Sequence, residues 1–320
     1  MTRPQTLDPI PPRWALVLAG GEGRRLQALT TLGDGTTVPK QFCSLHGGRT
    51  LLQDTLARVP SSIAAERVMT VVTRAHRRFW TRDLAGRAHV VEQPGLRGTA
   101  AGILLPLLTL AEHSPRARLL VLPSDHHVEH GERFVEACEL ALDCIEDDDT
   151  LTMLLGISPE TADSEYGWIV PDEIDDAGRL CVRSFVEKPP LAQAVSLRHR
   201  GALWNSFVMA TSVPALLSLF ERHLPALLEQ VRRAHMAGPL ALARLWPELP
   251  SHDFSSEILA HAAPSLRLLP VAPCGWTDLG TPERVAQCLR DERLDARPKR
   301  LAPPEPALVL SQALTRRGNA

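Results

Sequence analysis

The sequence predicts an α/β fold built on a doubly wound, mixed but mostly parallel sheet, and three observations carry that expectation. Residues 14–19 form a continuous apolar run ending in Gly20-Gly21, the pattern of a strand buried on both faces that enters a tight turn. Short runs of the same kind recur at 68–72, 119–122, 151–155 and 206–210. Helical patterns such as 51–59 and 132–145 lie between them, and such alternation is the signature of strand–helix–strand units.

The elements follow in order. Residues 1–13 carry four prolines and no apolar segment of the kind that heads a secretory signal, so they are expected to form a flexible N-terminus that is neither signal nor anchor. The body is expected over 14–290, with a first part at about 14–158. Within it the apolar stretch 99–111 is interrupted by Pro106 and falls short of the roughly 20 residues a membrane span needs, so it reads as a buried helix. From about 159 to 290 aromatic and turn residues increase, as in Tyr166-Gly167-Trp168 and Trp204-Asn205-Ser206, which suits a subregion that shapes a substrate pocket. Residues 291–320 are rich in proline and basic side chains and are expected to form a C-terminal tail, extended or with a short helix.

Composition narrows the function classes. At 320 residues, 44% apolar and 22% charged, the chain can build a core without metal or disulfide staples. A formal charge of -2 argues against a protein that coats nucleic acid, so any phosphate site must be local. The six cysteines, Cys43, Cys138, Cys144, Cys181, Cys274 and Cys288, show no metal-binding spacing and read as reduced thiols, which fits the cytoplasm. The acidic run 146–149 reads as a solvated loop.

Ligands of open α/β sheets bind beyond the carboxyl ends of the strands, and those positions are chemically loaded here. Leu18-Ala19-Gly20-Gly21-Glu22-Gly23-Arg24-Arg25 follows the first strand. Glycines there let backbone N–H groups approach phosphate oxygens, and Arg25 adds a permanent cation. A dinucleotide fingerprint would need a third glycine where Leu26 stands, and a phosphate loop of the Gly-Lys-Ser/Thr type is absent. Pro123-Ser124-Asp125-His126 follows the third run, and Trp276-Thr277-Asp278 lies near the end. Asp125 and Asp278 are the expected metal ligands, since magnesium prefers a few hard carboxylates completed by waters and phosphates. His126 and His127 are neighbours on a strand, where adjacent side chains point to opposite faces, and read as structural.

The loop at 18–26, together with Val38-Pro39-Lys40-Gln41-Phe42, resembles the signature of the sugar-1-phosphate nucleotidyltransferases, nearest the mannose-1-phosphate guanylyltransferase branch. The resemblance continues in order through Leu52-Gln53-Asp54-Thr55, Arg97-Gly98-Thr99-Ala100, Leu122-Pro123-Ser124-Asp125-His126, Glu165-Tyr166-Gly167-Trp168-Ile169, Phe185-Val186-Glu187-Lys188-Pro189, Trp204-Asn205-Ser206 and Gly275-Trp276-Thr277-Asp278-Leu279-Gly280. It covers roughly 14–286. It implies a Rossmann-like nucleotidyltransferase fold and transfer of a nucleotidyl group, from GTP by default, to a sugar-1-phosphate, mannose-1-phosphate by default, with release of pyrophosphate.

The same resemblance implies roles. Leu18, Ala19, Gly20, Gly21, Gly23, Gly98 and Thr99 would bind the nucleotide; Gly167, Glu187 and Asn205 would bind the sugar. Arg25 would neutralise the departing pyrophosphate, Lys40 would reach the α- or β-phosphate, and Lys188 would hold the sugar's phosphate. Asp125 and Asp278 would hold Mg2+. Partners are then a nucleoside triphosphate and a sugar-1-phosphate, with neither nucleic acid nor membrane, and a homodimer is left open.

Four stretches depart from the family pattern: Gln27-Ala28 replaces its Trp-Pro, Leu32-Gly33-Asp34-Gly35 lengthens the approach to Lys40, Gly98 replaces an asparagine, and Phe207 replaces a glycine. They bear on which nucleotide and sugar are used. About 40 residues follow Asp278, too few for the β-helix or isomerase domain of some relatives, so a single activity is expected. Another triphosphate and sugar pair on the same fold, or a non-catalytic nucleotide-binding regulator, are the competing readings.

Overall fold

A computed structural model describes residues 10–295. The N-terminal nine residues and 296–320 lie outside the described residues, as does most of the expected tail.

Nine strands form one sheet: β1 Arg13–Ala19, β2 Val68–Thr73, β3 His89–Gln93, β4 Arg118–Pro123, β6 Thr152–Ile157, β7 Trp168–Ile174, β8 Leu180–Val186, β9 Leu203–Ser212 and β10 Leu266–Val271. The pair β5 His127–Val128 and β11 Trp276–Thr277 forms a small second sheet. The order in the large sheet is β3-β2-β1-β4-β9-β6-β10-β8-β7. Strands β3, β2, β1 and β4 run parallel. Strand β9 then enters antiparallel to both β4 and β6, and β10 returns parallel to β6. The sheet is therefore mixed, with its parallel half in the first part of the chain. Runs of Val, Leu and Ile make these strands because the sheet is covered on both sides.

The two faces are distinct cores. Ala15, Val17 and Ala19 of β1 point into one, with the helices Leu51–Ala57 and Gly131–Cys144. Trp14 and Leu16 point into the other, with Gly98–His113 and Val213–His223. That alternation is the period-two signature of a strand, and each fully buried leucine in these layers contributes about 1.5–3 kcal/mol by leaving water. The helix Gly98–His113 is buried along most of its length, including Pro106, so its lack of a polar face is a consequence of its position beneath the sheet.

Two expected boundaries move. Arg13 belongs to β1, not to a flexible terminus, because its guanidinium lies 2.7 Å from Asp143 and 3.4 Å from Glu139 on the helix Gly131–Cys144. The final helix Pro282–Asp295 runs through the expected boundary at 290, anchored by buried Val285 and Leu289. The acidic run is anchored as well: Glu146 meets Arg13 at 3.3 Å and Asp148 meets Arg179 at 3.3 Å. All six cysteines are free. Burial pushes the Cys43 thiol up to about 12, so it is inert at neutral pH. Among the described residues no helix is long and apolar enough to cross a membrane.

Candidate active site

The carboxyl ends of β1, β2 and β4 open on one side of the sheet, and a cleft of about 630 Å3 lies there. Its wall begins with the loop after β1. Gln41 donates its amide N–H to the carbonyls of Ala19 at 2.9 Å and Gly21 at 2.8 Å. Thr73 donates to the carbonyl of Gly20 at 2.9 Å, and Ser124 to that of Leu18 at 2.7 Å. The carbonyls are thus tied to the protein from three sides. Gly23 adopts φ +62°, and a Cβ there would stand 2.9 Å from Cβ of Lys40; only glycine satisfies both constraints.

The residues expected to read the sugar line the same cleft. Glu187 and Lys188 follow β8, and Lys188 Nζ lies 2.9 Å from Glu187 Oε1. Burial holds the Glu187 carboxyl above its usual range, against the pull of Lys188. The N–H of Asn205 donates to the carbonyl of Gly167 at 2.8 Å, and Gly167 packs directly on Glu187 and Phe185. The three elements expected to read the sugar are therefore in contact, although they come from separate parts of the chain.

The acidic residues line the same cleft. Asp125 follows β4 and Asp278 follows β11. Burial would push the Asp125 carboxyl up, but Lys40 and His126 outweigh it and hold it low. For Asp278 burial is likewise outweighed by Arg284 and Lys40. Both are anionic at neutral pH. Asp278 Oδ1 accepts from Arg284 at 2.7 Å, the Gly280 N–H at 2.9 Å and the Tyr166 hydroxyl at 3.0 Å. Its Oδ2 faces Arg25 at 3.5 Å, while Arg25 also bridges to Glu165 at 2.8 Å.

Nearly every residue anticipated from sequence lines this one cleft: Leu18, Gly20, Gly21, Gly23, Arg25, Gly98, Thr99, Asp125, Gly167, Glu187, Lys188, Asn205 and Asp278. Two do not. Ala19 is fully buried with its side chain in the core. Lys40 is 5% exposed and lies beneath the cleft, where its ammonium bonds Asp125 Oδ2 at 2.8 Å and the carbonyl of Asp278. It ties together the two acidic residues, bonding Asp278 from 238 positions away, and reaching a phosphate would require it to leave them.

Other contributors were missed. Arg284 clamps Asp278 and Asp163 while its guanidinium lies 4.1 Å from the centre of the Tyr166 ring. No local pattern distinguishes it from a surface arginine one turn into a helix. Residues 251–255 close the far end: the Ala100 N–H donates to the His252 carbonyl at 3.1 Å, and the Phe254 N–H to Thr99 Oγ1 at 2.7 Å. His126, expected to be structural, does line the cleft, its ring edge-on to Trp276 at 5.2 Å; burial keeps its imidazole below the ordinary range.

A mixed sheet whose parallel strands end in a cleft lined by a glycine loop, fixed cations and two ionised carboxylates defines a class of phosphate-handling α/β proteins. Within that class the assignment is specific: the profile of the family "Nucleotidyl transferase" matches residues 14–292, and the chain belongs to that family. A mannose-1-phosphate guanylyltransferase of Sinorhizobium fredii is 29% identical over 282 residues, 84% of this chain and 53% of the relative. One of Escherichia coli K12 is 27% identical, over 84% of this chain and 58% of the relative. This chain thus spans little more than half the length of these curated relatives. Among solved structures, one described as a mannose-1-phosphate geranyltransferase from Thermus thermophilus matches with a TM-score of 0.76 at 31% identity, covering 87% of this chain and 79% of that one.

Proposed function

We propose that this protein transfers a nucleotidyl group from a nucleoside triphosphate, GTP foremost, to a sugar-1-phosphate, mannose-1-phosphate foremost, giving a nucleotide sugar and pyrophosphate. The observation that carries this reading is that two anionic carboxylates, Asp125 and Asp278, share one cleft with the glycine loop, Arg25, Glu187, Lys188 and Asn205. Names of the relatives support the choice of nucleotide and sugar.

The reaction joins two anions. An oxygen of the sugar phosphate attacks the α-phosphorus, the bond to the β-phosphate breaks, and the electron pair leaves on pyrophosphate. Positioning and charge stabilisation lower this barrier. The glycine loop, whose carbonyls are occupied by Gln41, Thr73 and Ser124, presents its amide side to the triphosphate. Arg25 exchanges Glu165 for the departing phosphates, Lys188 holds the sugar phosphate, and Glu187 and Asn205 bond sugar hydroxyls.

The residues fit a magnesium ion. Asp125 Oδ1 faces His126 Nε2 at 3.7 Å, beyond hydrogen-bonding reach, and Asp278 Oδ2 faces Arg25 at 3.5 Å, so each carboxylate keeps an oxygen free of a short bond. Among the described residues no cluster of three or more metal-ligating side chains exists, which suits a cation held by one or two carboxylates and completed by substrate phosphates and water. When bound, Mg2+ would neutralise charge shared by the phosphates. Six free thiols fit work in a reducing cytoplasm.

The test is pyrophosphate release from the purified protein with Mg2+, each common triphosphate and a panel of sugar-1-phosphates. Release from one pair supports the reading. Tight nucleotide binding with no release from any pair defeats it in favour of a non-catalytic regulator.

A related expectation concerns Arg284, which does not line the cleft yet fixes Asp278. Arg284→Ala should lower kcat about 10–100-fold, the usual cost of losing an outer-shell partner of a metal ligand. The apparent Mg2+ requirement should rise while the KM for the sugar phosphate holds. Arg284→Lys, which supplies a point charge without the fork, should recover part of the loss. An unchanged Mg2+ dependence in Arg284→Ala would remove Arg284 from this role.

A further inference from the structure

Phe207 carries an observation that the reaction does not explain. It is one of three non-glycine residues among those described with positive φ, at +59°, a region costly for an aromatic side chain. The cause is a disruption in β9. Leu154 pairs with Met209 and Gly156 with Asn205, so one residue of β6 between these pairs faces three of β9. The excess is held in place: Ser206 Oγ donates to the Leu155 carbonyl at 2.6 Å, the Val208 N–H to Ser206 Oγ at 3.1 Å, and the Phe207 N–H to Asn205 Oδ1 at 3.1 Å. Bulges next to binding sites re-aim side chains, and this one puts the Phe207 ring on the wall of the cleft.

The ring is also supported from behind. It meets Phe254 edge-on at 6.2 Å, and Phe254 rests on Phe220 at 5.9 Å. Leu154, Met209 and Leu259 line the small space shared with it. A ring held by a bulge and an aromatic stack cannot swing aside without breaking both. It adjoins Asn205, which contacts the Gly167 backbone, so it borders the sugar side of the cleft. The loop of 251–255 separates it from the nucleotide end at Thr99.

We infer that Phe207 is a specificity-determining residue: a fixed wall that limits the size of the sugar-1-phosphate to an unextended hexose. The inference rests on the proposed nucleotidyl transfer and deepens it. Strain at φ +59° persists because the ring is needed where the bulge puts it; glycine would occupy the same backbone without strain and leave the wall open.

The experiment compares the full chain with Phe207→Gly, Phe207→Asn and Phe207→Tyr. Substrates are the preferred hexose-1-phosphate and forms of it bearing one added acetamido group at C2, C3, C4 or C6. Both small variants take left-handed backbone readily and should stay folded by thermal melt. The expected result is a rise of about tenfold or more in the kcat/KM ratio of at least one enlarged substrate to the plain one, the scale on which a pocket discriminates small groups. That rise should appear in Phe207→Gly and Phe207→Asn, come mostly through KM, and be absent from Phe207→Tyr, which keeps the ring. Ratios within about twofold of the parent for every enlarged substrate, or a change confined to the choice of triphosphate, overturn the proposal. No turnover in any form, the unaltered chain included, overturns the transferase reading beneath it.

Discussion

Asp125→Asn should abolish pyrophosphate release, lowering kcat by about 10^3-fold or more, because it removes the negative charge that pairs Lys40 and would hold the metal. The substitution keeps the size of the side chain, so the loss is electrostatic. It has a second consequence. Lys40 is 5% exposed and relies on Asp125 at 2.8 Å for its counter-charge, and a buried charge stripped of its partner costs about 3–5 kcal/mol. A partial offset comes from the Asp278 carbonyl, which Lys40 also bonds, and from the solvent that reaches Asp125. The thermal midpoint should fall alongside activity. Stopped assays at saturating Mg2+ and a melt on the same sample separate the two effects. A variant that melts lower but turns over at the parental rate would show that Asp125 stabilises the fold and takes no part in the chemistry.

Gly98→Ala should be strongly destabilising. Gly98 adopts φ +79°, and a Cβ there would stand 2.1 Å from the carbonyl oxygen of His252 and 2.8 Å from its nitrogen. Those are backbone atoms of a segment sewn to the same helix by the Ala100 N–H bond to His252 and the Phe254 N–H bond to Thr99, so the segment must be displaced. Strain from positive φ adds to that displacement. Together they should cost about 3 kcal/mol or more, within the range reserved for named backbone clashes. For a domain of this size that is a fall of roughly 5 °C or more in Tm. The asparagine of the family pattern tolerates positive φ but carries the same Cβ, so Gly98→Asn should fare nearly as badly. A Tm within about 2 °C of the parent for Gly98→Asn would show that the His252 segment yields at little cost. If the loss occurs, the departure at Gly98 is explained by the neighbour it admits.

The two departures at Gly98 and Phe207 are unrelated in sequence, yet both meet the segment 251–255: Gly98 meets the His252 backbone and Phe207 meets the Phe254 ring. A pattern match reports each as a difference at one position. The folded chain gives them a common neighbour, because a substitution that removes a side chain at one point makes room for a loop that another side chain can then lean upon.

Much was legible along the chain. Strand β1 could be read from an apolar run closed by glycines, and the helix Gly98–His113 from an apolar stretch too short for a membrane, since burial on all sides imposes composition directly. Strands β7 and β8, at one end of the sheet, were not anticipated. Their buried and exposed positions do not alternate regularly and their pairing shifts register, so neither strand gives a clear period-two signal.

The sequence by itself determined where the candidate site's residues sit, because loops at the carboxyl ends of buried strands line the cleft and the strands announce themselves by their apolar runs. Only the tertiary structure decided how those charges are spent. Lys40 is drawn beneath the cleft between Asp125 and the Asp278 carbonyl, Arg25 is shared between Glu165 and Asp278, and Arg284 fixes the other side of Asp278. Each of these pairs joins residues far apart in the chain or hidden within an ordinary helical turn. Local periodicity and composition carry no information about such partners; packing of the two faces of the sheet, which brings the strand ends to one place, creates them.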